Sequence, residues 1–116
     1  MHIVAKRGLM EPRLKIPVHA KNAARLALKI RESLPQSRRF GITKEQAGRL
    51  GIASGVERAK QIMRSSSLAW ADAVRVARFY QRFKNKQGLR AQGAIDLWGG
   101  RQFGAMAVAF VKKHKL

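Results

Sequence analysis

The most strongly patterned stretch of the chain is residues 68–83, LAWADAVRVARFYQRF. Apolar side chains recur in this stretch at the three- and four-residue steps that define one face of a helix. They are Ala69, Ala73, Val76, Phe79 and Phe83. The pattern predicts an amphipathic helix that buries this face, with Ser67 as a suitable N-cap residue before it.

The same spacing predicts helices on both sides of this segment. Pro17 suits the first turn of a helix that runs to about Leu34, and Thr43 with Gln46 has the form of a capping box at the start of a short helix. Further helices are expected over residues 52–64, 89–98 and 102–112. No segment alternates like a strand, so we predict an all-α fold, a compact bundle of five or six short helices.

Residues 1–17 lack a sustained period and contain Pro12 and Pro17. We interpret this segment as a basic flexible N-terminal arm, followed by a single helical domain over residues 18–113. The chain has 116 residues, of which 46% are apolar, and this supports one core and excludes a wholly disordered protein.

The chain is strongly basic, with 25 Lys and Arg against 6 Asp and Glu and a formal net charge of +19. Residues 1–39 and 68–116 each hold ten basic and two acidic residues, whereas residues 40–67 hold five and two. The helices therefore carry much of the excess charge, which favours a structured surface for a polyanion over a charged tail.

The sequence offers no constellation typical of catalysis or of cofactor binding. It has no cysteine, and His2, His19 and His114 have neither a carboxylate nor a second histidine at metal-ligand spacing. There is no glycine-rich phosphate loop, and the run of serines at 65–67 has no neighbouring base. We therefore expect a protein that is not an enzyme and that needs no cofactor or metal.

The longest apolar run, residues 105–111, is seven residues long, far short of the roughly twenty that cross a bilayer. Because the chain also begins without a secretory signal pattern, we expect a soluble intracellular protein with no membrane partner.

Nucleic acid is the partner that the charge favours, and DNA more than RNA. Lys and Arg that neutralise phosphates release counterions, and the arginine fork can bind a phosphate with two hydrogen bonds. Arg75, Arg78 and Arg82 lie three and four residues apart, which places them in one row on the predicted helix. The residues predicted to contact nucleic acid are Lys6, Arg7, Arg13, Lys15, Lys21, Arg25, Arg38, Arg39, Arg75, Arg78, Arg82, Lys84 and Lys86.

Two alternatives use the same basic surface without free nucleic acid as the partner. The protein could be a structural or assembly component of a virion, or an adaptor that docks on an acidic protein. Sequence specificity, strandedness and oligomeric state are left open by the sequence.

Residues 43–60 resemble a helix-turn-helix, but the match is imperfect. Val56 follows Gly51 by five residues where six is usual, and Gln46 occupies a position that is normally apolar. We therefore prefer to interpret Gly51 and Gly55 as positions where two helices pack closely.

Two phrases, Gly55-Val56-Glu57-Arg58-Ala59 and Trp98-Gly99-Gly100, resemble a family of uncharacterised small helical domains found mainly in proteins of tailed bacteriophages. The resemblance spans roughly residues 18–110. It departs from the family pattern at Phe83, where a histidine is common, and at Arg101, where an aspartate is common. The resemblance implies a helical fold and a location in an infected host cell or in a virion, and it implies no established activity.

The residues of these phrases also suggest structural roles. Gly99 suits the left-handed conformation that ends a helix, and Gly100 would let the last helix approach the earlier ones. Trp98 would anchor the core, and Arg58 would bind carbonyl groups at a helix end or pair with Asp96.

Overall fold

The computed structural model describes residues 11–50 and 54–115 of the chain. Six α-helices lie within these residues, and 72% of the structure is helical, which confirms the predicted all-α bundle of short helices. They are α1 (Val18–Ser33), α2 (Lys44–Leu50), α3 (Gly55–Arg64), α4 (Trp70–Phe83), α5 (Leu89–Leu97) and α6 (Gly100–His114). A short 3-10 helix, Gln36–Arg38, follows α1.

Side-chain caps fix the starts of α2 and α3. The Thr43 amide donates to Gln46 Oε1 at 2.9 Å and the Gln46 amide donates to Thr43 Oγ1 at 3.2 Å, so the predicted capping box is confirmed. Ser54 accepts from the Glu57 amide at 3.0 Å and caps α3.

The prediction of Ser67 as a cap is wrong, because Ser67 lies in a strand and Ala69 occupies the N-cap position of α4. This strand, β2 (Ser67–Leu68), pairs antiparallel with β1 (Leu14–Lys15), with Leu14 opposite Leu68. The expectation that the chain forms no strand is therefore also wrong. Two-residue strands are too short to produce a detectable alternation of apolar and polar residues.

The β1–β2 pairing also corrects the extent of the predicted flexible arm. Leu14 and Ile16 are 5% and 4% exposed and belong to the core, and the Ile16 amide donates to the Ser66 carbonyl at 3.0 Å. The arm predicted over residues 1–17 therefore does not extend through residues 14–17, because burial of two large apolar side chains holds that segment on the domain. Lys6 and Arg7 lie outside the described residues.

The core is built from two packed groups of helices. α4 packs mainly against α6, whereas α1 packs mainly against α3 and α5. Small side chains on α1 allow the close approach, since Ala20, Ala24 and Ala27 are buried, while the largest fully buried side chain is Phe103 on α6. Gly55 is also buried, and a Cβ there would lie 3.4 Å from both Leu97 and Trp98, which confirms it as a close-packing position. Gly51 lies outside the described residues.

The corner between α5 and α6 matches its prediction. Gly99 has φ of +101°, a conformation that residues with a Cβ rarely adopt, and it ends α5 and begins α6. A Cβ on Gly100 would lie 3.3 Å from Ala23 of α1, so the last helix does start close to the first. Trp98 is 6% exposed and anchors the core at this corner.

Candidate nucleic-acid interface

Arg75, Arg78 and Arg82 form an exposed row on α4, which we call the arginine ridge. A rise of about 1.5 Å per residue spreads the ridge over roughly 10 Å of the helix axis. Arg75 Nη1 lies 3.1 Å from Asp72 Oδ1, whereas Arg78 and Arg82 have no ion-pair partner in residues 11–50 and 54–115. Since α4 packs firmly on α6, the helix presents these charges from a rigid element.

Lys84 and Lys86 extend the ridge beyond the end of α4. Both are exposed, and Arg101 fixes the turn that carries them by donating to the Lys84 carbonyl at 2.8 Å and to the Lys86 carbonyl at 3.2 Å. Residues 73–95 contain no aspartate or glutamate, so no local carboxylate neutralises this part of the surface. The ridge and the turn together place five exposed cations between residues 75 and 86.

An aromatic column supports the C-terminal half of the ridge. Phe79 stacks on Phe83 and on Trp98, with ring centroids 4.3 Å apart in both cases and interplanar angles of 14° and 4°. Each end ring carries a cation, because Lys86 Nζ lies 4.6 Å from the centroid of Phe83 and Arg58 Cζ lies 4.9 Å from that of Trp98. The column therefore spends its ring faces on packing, which leaves little open aromatic surface for nucleobases.

Arg58 pairs with Asp72, not with Asp96 as one of its expected roles required. Its Nη1 donates to Asp72 Oδ1 at 2.9 Å, and Gln61 Nε2 donates to Asp72 Oδ2 at 3.1 Å. Burial would by itself raise the pKa of Asp72, but the hydrogen bonds from Arg58, Gln61 and Arg75 outweigh burial and hold this pKa below its usual value. Asp72 is thus a stable anion that links α3 to α4.

Asp96 lies on α5 and accepts a hydrogen bond from Gln92 Nε2 at 2.9 Å. Burial raises the pKa of the Asp96 carboxyl, and the hydrogen bond from Gln92 and the charge of Arg101 offset only part of this effect.

Two residues predicted to contact nucleic acid are engaged by backbone carbonyls. Lys21 Nζ donates to the carbonyls of Ile62 at 3.0 Å, of Met63 at 3.2 Å and of Ser65, at the C-terminal end of α3. Arg39 donates to the carbonyls of Leu34 at 3.0 Å and Glu32 at 3.3 Å. These donors satisfy helix-end acceptors, so we leave Lys21 and Arg39 out of the proposed interface.

The remaining predicted contacts lie on other elements. Arg13 donates from Nε to Ser67 Oγ at 2.7 Å, and Lys15 is exposed on β1, so both lie beside the segment that leads into α4. Arg25 on α1 donates to Asn22 Oδ1 at 2.9 Å, and Arg38 is exposed in the 3-10 helix. The structure thus unites only the residues of α4 and its following turn into one continuous row.

Three arginines with structural contacts were not singled out from the sequence. Arg31 is 7% exposed and donates from Nε to the Phe40 carbonyl at 2.7 Å, and burial, together with the charge of Arg39, lowers the pKa of Arg31. Its position continues the spacing of the buried residues Ala20, Ala24 and Ala27, a signal that could have identified it. Arg90 donates to the carbonyls of Ser37 and Arg39, both at 3.2 Å, and the third is Arg101.

Within residues 11–50 and 54–115, no helix has the length and apolar composition needed to cross a bilayer, and no three His, Asp or Glu side chains gather where they could hold a metal ion.

Comparison of the chain with protein-family models, with curated proteins and with solved structures finds no match. The resemblance to the bacteriophage family therefore stays a prediction based on the two phrases at residues 55–59 and 98–100. The structure brings these phrases together, because Gly55 packs against Trp98 and Arg58 lies over its ring. Their residue types thus have a local structural explanation in this protein.

Proposed function

We propose that this protein is a non-enzymatic nucleic-acid-binding protein that contacts phosphates through the arginine ridge, Lys84 and Lys86. The observation that carries the proposal is the row of five exposed cations from Arg75 to Lys86 on a stretch of chain without a carboxylate. Duplex DNA is the proposed ligand, and the infected host cell or the virion is the proposed location.

The chemistry of the ridge suits the phosphate backbone more than the base edges. Guanidinium groups form paired, charge-assisted hydrogen bonds with phosphate oxygens, and such contacts carry no sequence information. The rings beneath the ridge are stacked on one another, so base stacking contributes little to the proposed binding. The expected interaction is therefore electrostatic and tolerant of sequence.

A salt titration tests the proposal directly. Anisotropy of a fluorescein-labelled 20-bp duplex DNA is measured with the protein from 50 to 300 mM KCl. Five phosphate contacts predict that the logarithm of the binding constant falls with the logarithm of salt concentration with a slope of about −4 to −5. Affinity that stays constant over this range would contradict the proposal, and a parallel titration with duplex RNA of the same sequence compares the two nucleic acids.

The adaptor and virion alternatives make different predictions. A partner captured from nuclease-treated lysate would favour docking on an acidic protein. Recovery of the protein at a fixed stoichiometry in purified particles would favour a structural or assembly role.

A further inference from the structure

A groove of about 1060 Å³ lies between the loop that follows the 3-10 helix, the C-terminal end of α4, and α5. Its apolar lining includes Phe40, Ile42, Phe83, Ala91, Ala94 and Leu97. Four cations also line it, and no aspartate or glutamate does. These cations are Arg39, Arg82, Lys86 and Arg90. The volume is at the upper end of the range typical of sites for small ligands, and it suits a segment with one or two large side chains.

The groove is set by close packing beneath it. A Cβ on Gly93 would lie 2.5 Å from the ring of Phe40, so the absence of a side chain on this face of α5 lets the Phe40 loop pack directly on the helix. Arg90 reinforces the same contact from the rim, since its Nη2 donates to the carbonyls of Ser37 and Arg39. The wall and the rim therefore need little rearrangement to receive a ligand.

The cations of the rim keep donors for a ligand. The hydrogen bonds of Arg90 use only Nη2, and neither Arg82 nor Lys86 takes part in an ion pair within the described part of the chain. Lys86 is held over the Phe83 ring at 4.6 Å, which places a positive charge directly beside the apolar lining. Such a site favours a ligand that joins carboxylates to an apolar group.

The arrangement of the rings decides between a nucleobase and an apolar side chain. Phe79 is stacked between Phe83 and Trp98, and Phe83 lies between Phe79 and the Lys86 ammonium. A base that stacks needs an uncovered ring face, whereas a leucine or phenylalanine side chain can pack against ring edges and the methyl groups of Ala91, Ala94 and Leu97.

We propose that this groove is a docking site for an acidic peptide segment of a partner protein, in which a leucine or phenylalanine is flanked by aspartate or glutamate. The apolar side chain packs on the lining, and the carboxylates accept hydrogen bonds from Arg82, Lys86 and Arg90. The site is independent of nucleic-acid binding, because it needs an apolar anchor that the phosphate backbone lacks.

An array of fluorescein-labelled 15-residue peptides tests the proposal on the full-length protein at 150 mM KCl. The peptides place one or two Leu or Phe residues in every register among Glu and Asp, and a matched set replaces Leu and Phe with Ala. We expect measurable binding of several acidic-apolar peptides and at least tenfold weaker binding of their Ala counterparts. Equal binding of both sets, or no binding by any peptide, would overturn the proposal.

Two uncharged replacements locate the binding. Ala94→Gln fills the apolar lining without changing charge, and Arg90→Gln removes one cation of the rim, so each is expected to weaken the best peptide at least fivefold. Lys113→Gln, at an exposed position near the end of α6, is the charge-matched control and leaves the affinity within twofold. Circular dichroism and thermal melting verify that each variant folds, and a folded Ala94→Gln variant with unchanged peptide affinity would overturn the assignment to the groove.

The same variants separate this site from the proposed interface. Ala94→Gln is expected to keep the DNA affinity and its salt dependence, since it removes no charge and lies off the ridge. Loss of peptide binding in Arg75→Gln/Arg78→Gln, with full retention in Ala94→Gln, would place the peptide on the ridge and overturn the proposal. Failure of DNA binding alone leaves the peptide result intact, so the two proposals fail separately.

Discussion

Arg58 on α3 donates a hydrogen bond to Asp72 on α4 at 2.9 Å, and this pair joins two helices whose side chains here are largely withdrawn from solvent. The same guanidinium lies over the Trp98 ring, so one side chain contacts α4 and the corner between α5 and α6. The side chain of Arg58 is 10% exposed, and its charge is compensated locally. This arginine therefore serves the fold rather than the surplus charge of the surface.

Asp72→Asn is expected to lower the free energy of unfolding by about 1–3 kcal/mol at pH 7, because hydrogen bonds to a charged group are lost. The pKa of Asp72 is depressed in the folded protein, so its stabilising effect is complete above the unfolded pKa of about 3.9 and disappears as pH falls through the folded value. Urea unfolding at pH 7 and at pH 2.5 measures the difference, which should shrink at the lower pH. A difference that does not depend on pH would contradict the ion pair; Glu57→Gln, which breaks an exposed pair at 3.5 Å, is the control and should change stability by less than about 1 kcal/mol.

Lys21→Met is expected to destabilise the protein by about 1–3 kcal/mol, because it leaves carbonyls at the end of α3 without a charged donor. Lys29 lies on the same helix and is exposed, so Lys29→Met is the matched control and should change stability by no more than about 0.5 kcal/mol. Chemical unfolding measures both. If Lys21→Met were as stable as Lys29→Met and weakened DNA binding more, Lys21 would belong to the interface after all.

Gly93→Ala and Gly48→Ala are expected to change stability in opposite directions. A Cβ at Gly93 would overlap the Phe40 ring at 2.5 Å, and we expect overpacking to cost about 1–3 kcal/mol. Gly48 lies in α2 with no neighbouring atom within 4 Å of its Cβ position, so alanine should stabilise the helix by about 0.5–1 kcal/mol. Thermal melting compares the two variants, and a stabilised Gly93→Ala protein would contradict the close packing of α5 on the Phe40 loop.

Asp96→Asn is expected to raise the melting temperature at pH 7. The pKa of Asp96 is raised in the folded protein, so the folded state binds this proton more tightly than the unfolded chain does, and stability falls as pH rises through the folded pKa. Asparagine keeps the acceptor for Gln92 but cannot ionise. Melting curves from pH 3 to pH 7 should show wild type and variant converging at low pH, and a variant that is less stable at pH 7 would show that the ionised carboxylate is favourable here.

Removal of the arginine ridge is expected to change the salt dependence of DNA binding. The Arg75→Gln/Arg78→Gln/Arg82→Gln protein should lose about one unit of salt slope for each phosphate contact removed. Lys29→Gln/Lys112→Gln/Lys113→Gln removes the same charge from exposed positions outside the ridge and is the matched control. Equal losses in the two triple variants would show that net charge, and not the ridge, determines binding.

The regular parts of the structure could be predicted from the sequence, because their signals are local. The apolar spacing of residues 68–83 and the capping box at Thr43 each involve residues within a few positions of one another. The row of Arg75, Arg78 and Arg82 follows in the same way from helical geometry.

The contacts that could not be predicted join distant residues whose types carry no pairing signal. Any carbonyl can accept from a lysine, so nothing in the sequence indicates that Lys21 binds the end of α3, more than 40 positions away. The partner of Arg58 was likewise undetermined, since Asp72 and Asp96 have the same chemistry. The groove also depends on the approach of α5 to the Phe40 loop, which only the tertiary structure defines.

The two-strand ladder has a consequence for the order in which the chain folds. It brings together Arg13 and Ser67, which are 54 positions apart, for two short strands and the burial of Leu14 and Ile16. Closing so long a loop costs chain entropy that few contacts repay, so we expect the ladder to form only after the intervening helices have packed. By the same reasoning it is the part of the fold that opens first, and its amides should exchange with solvent deuterium sooner than those of α4.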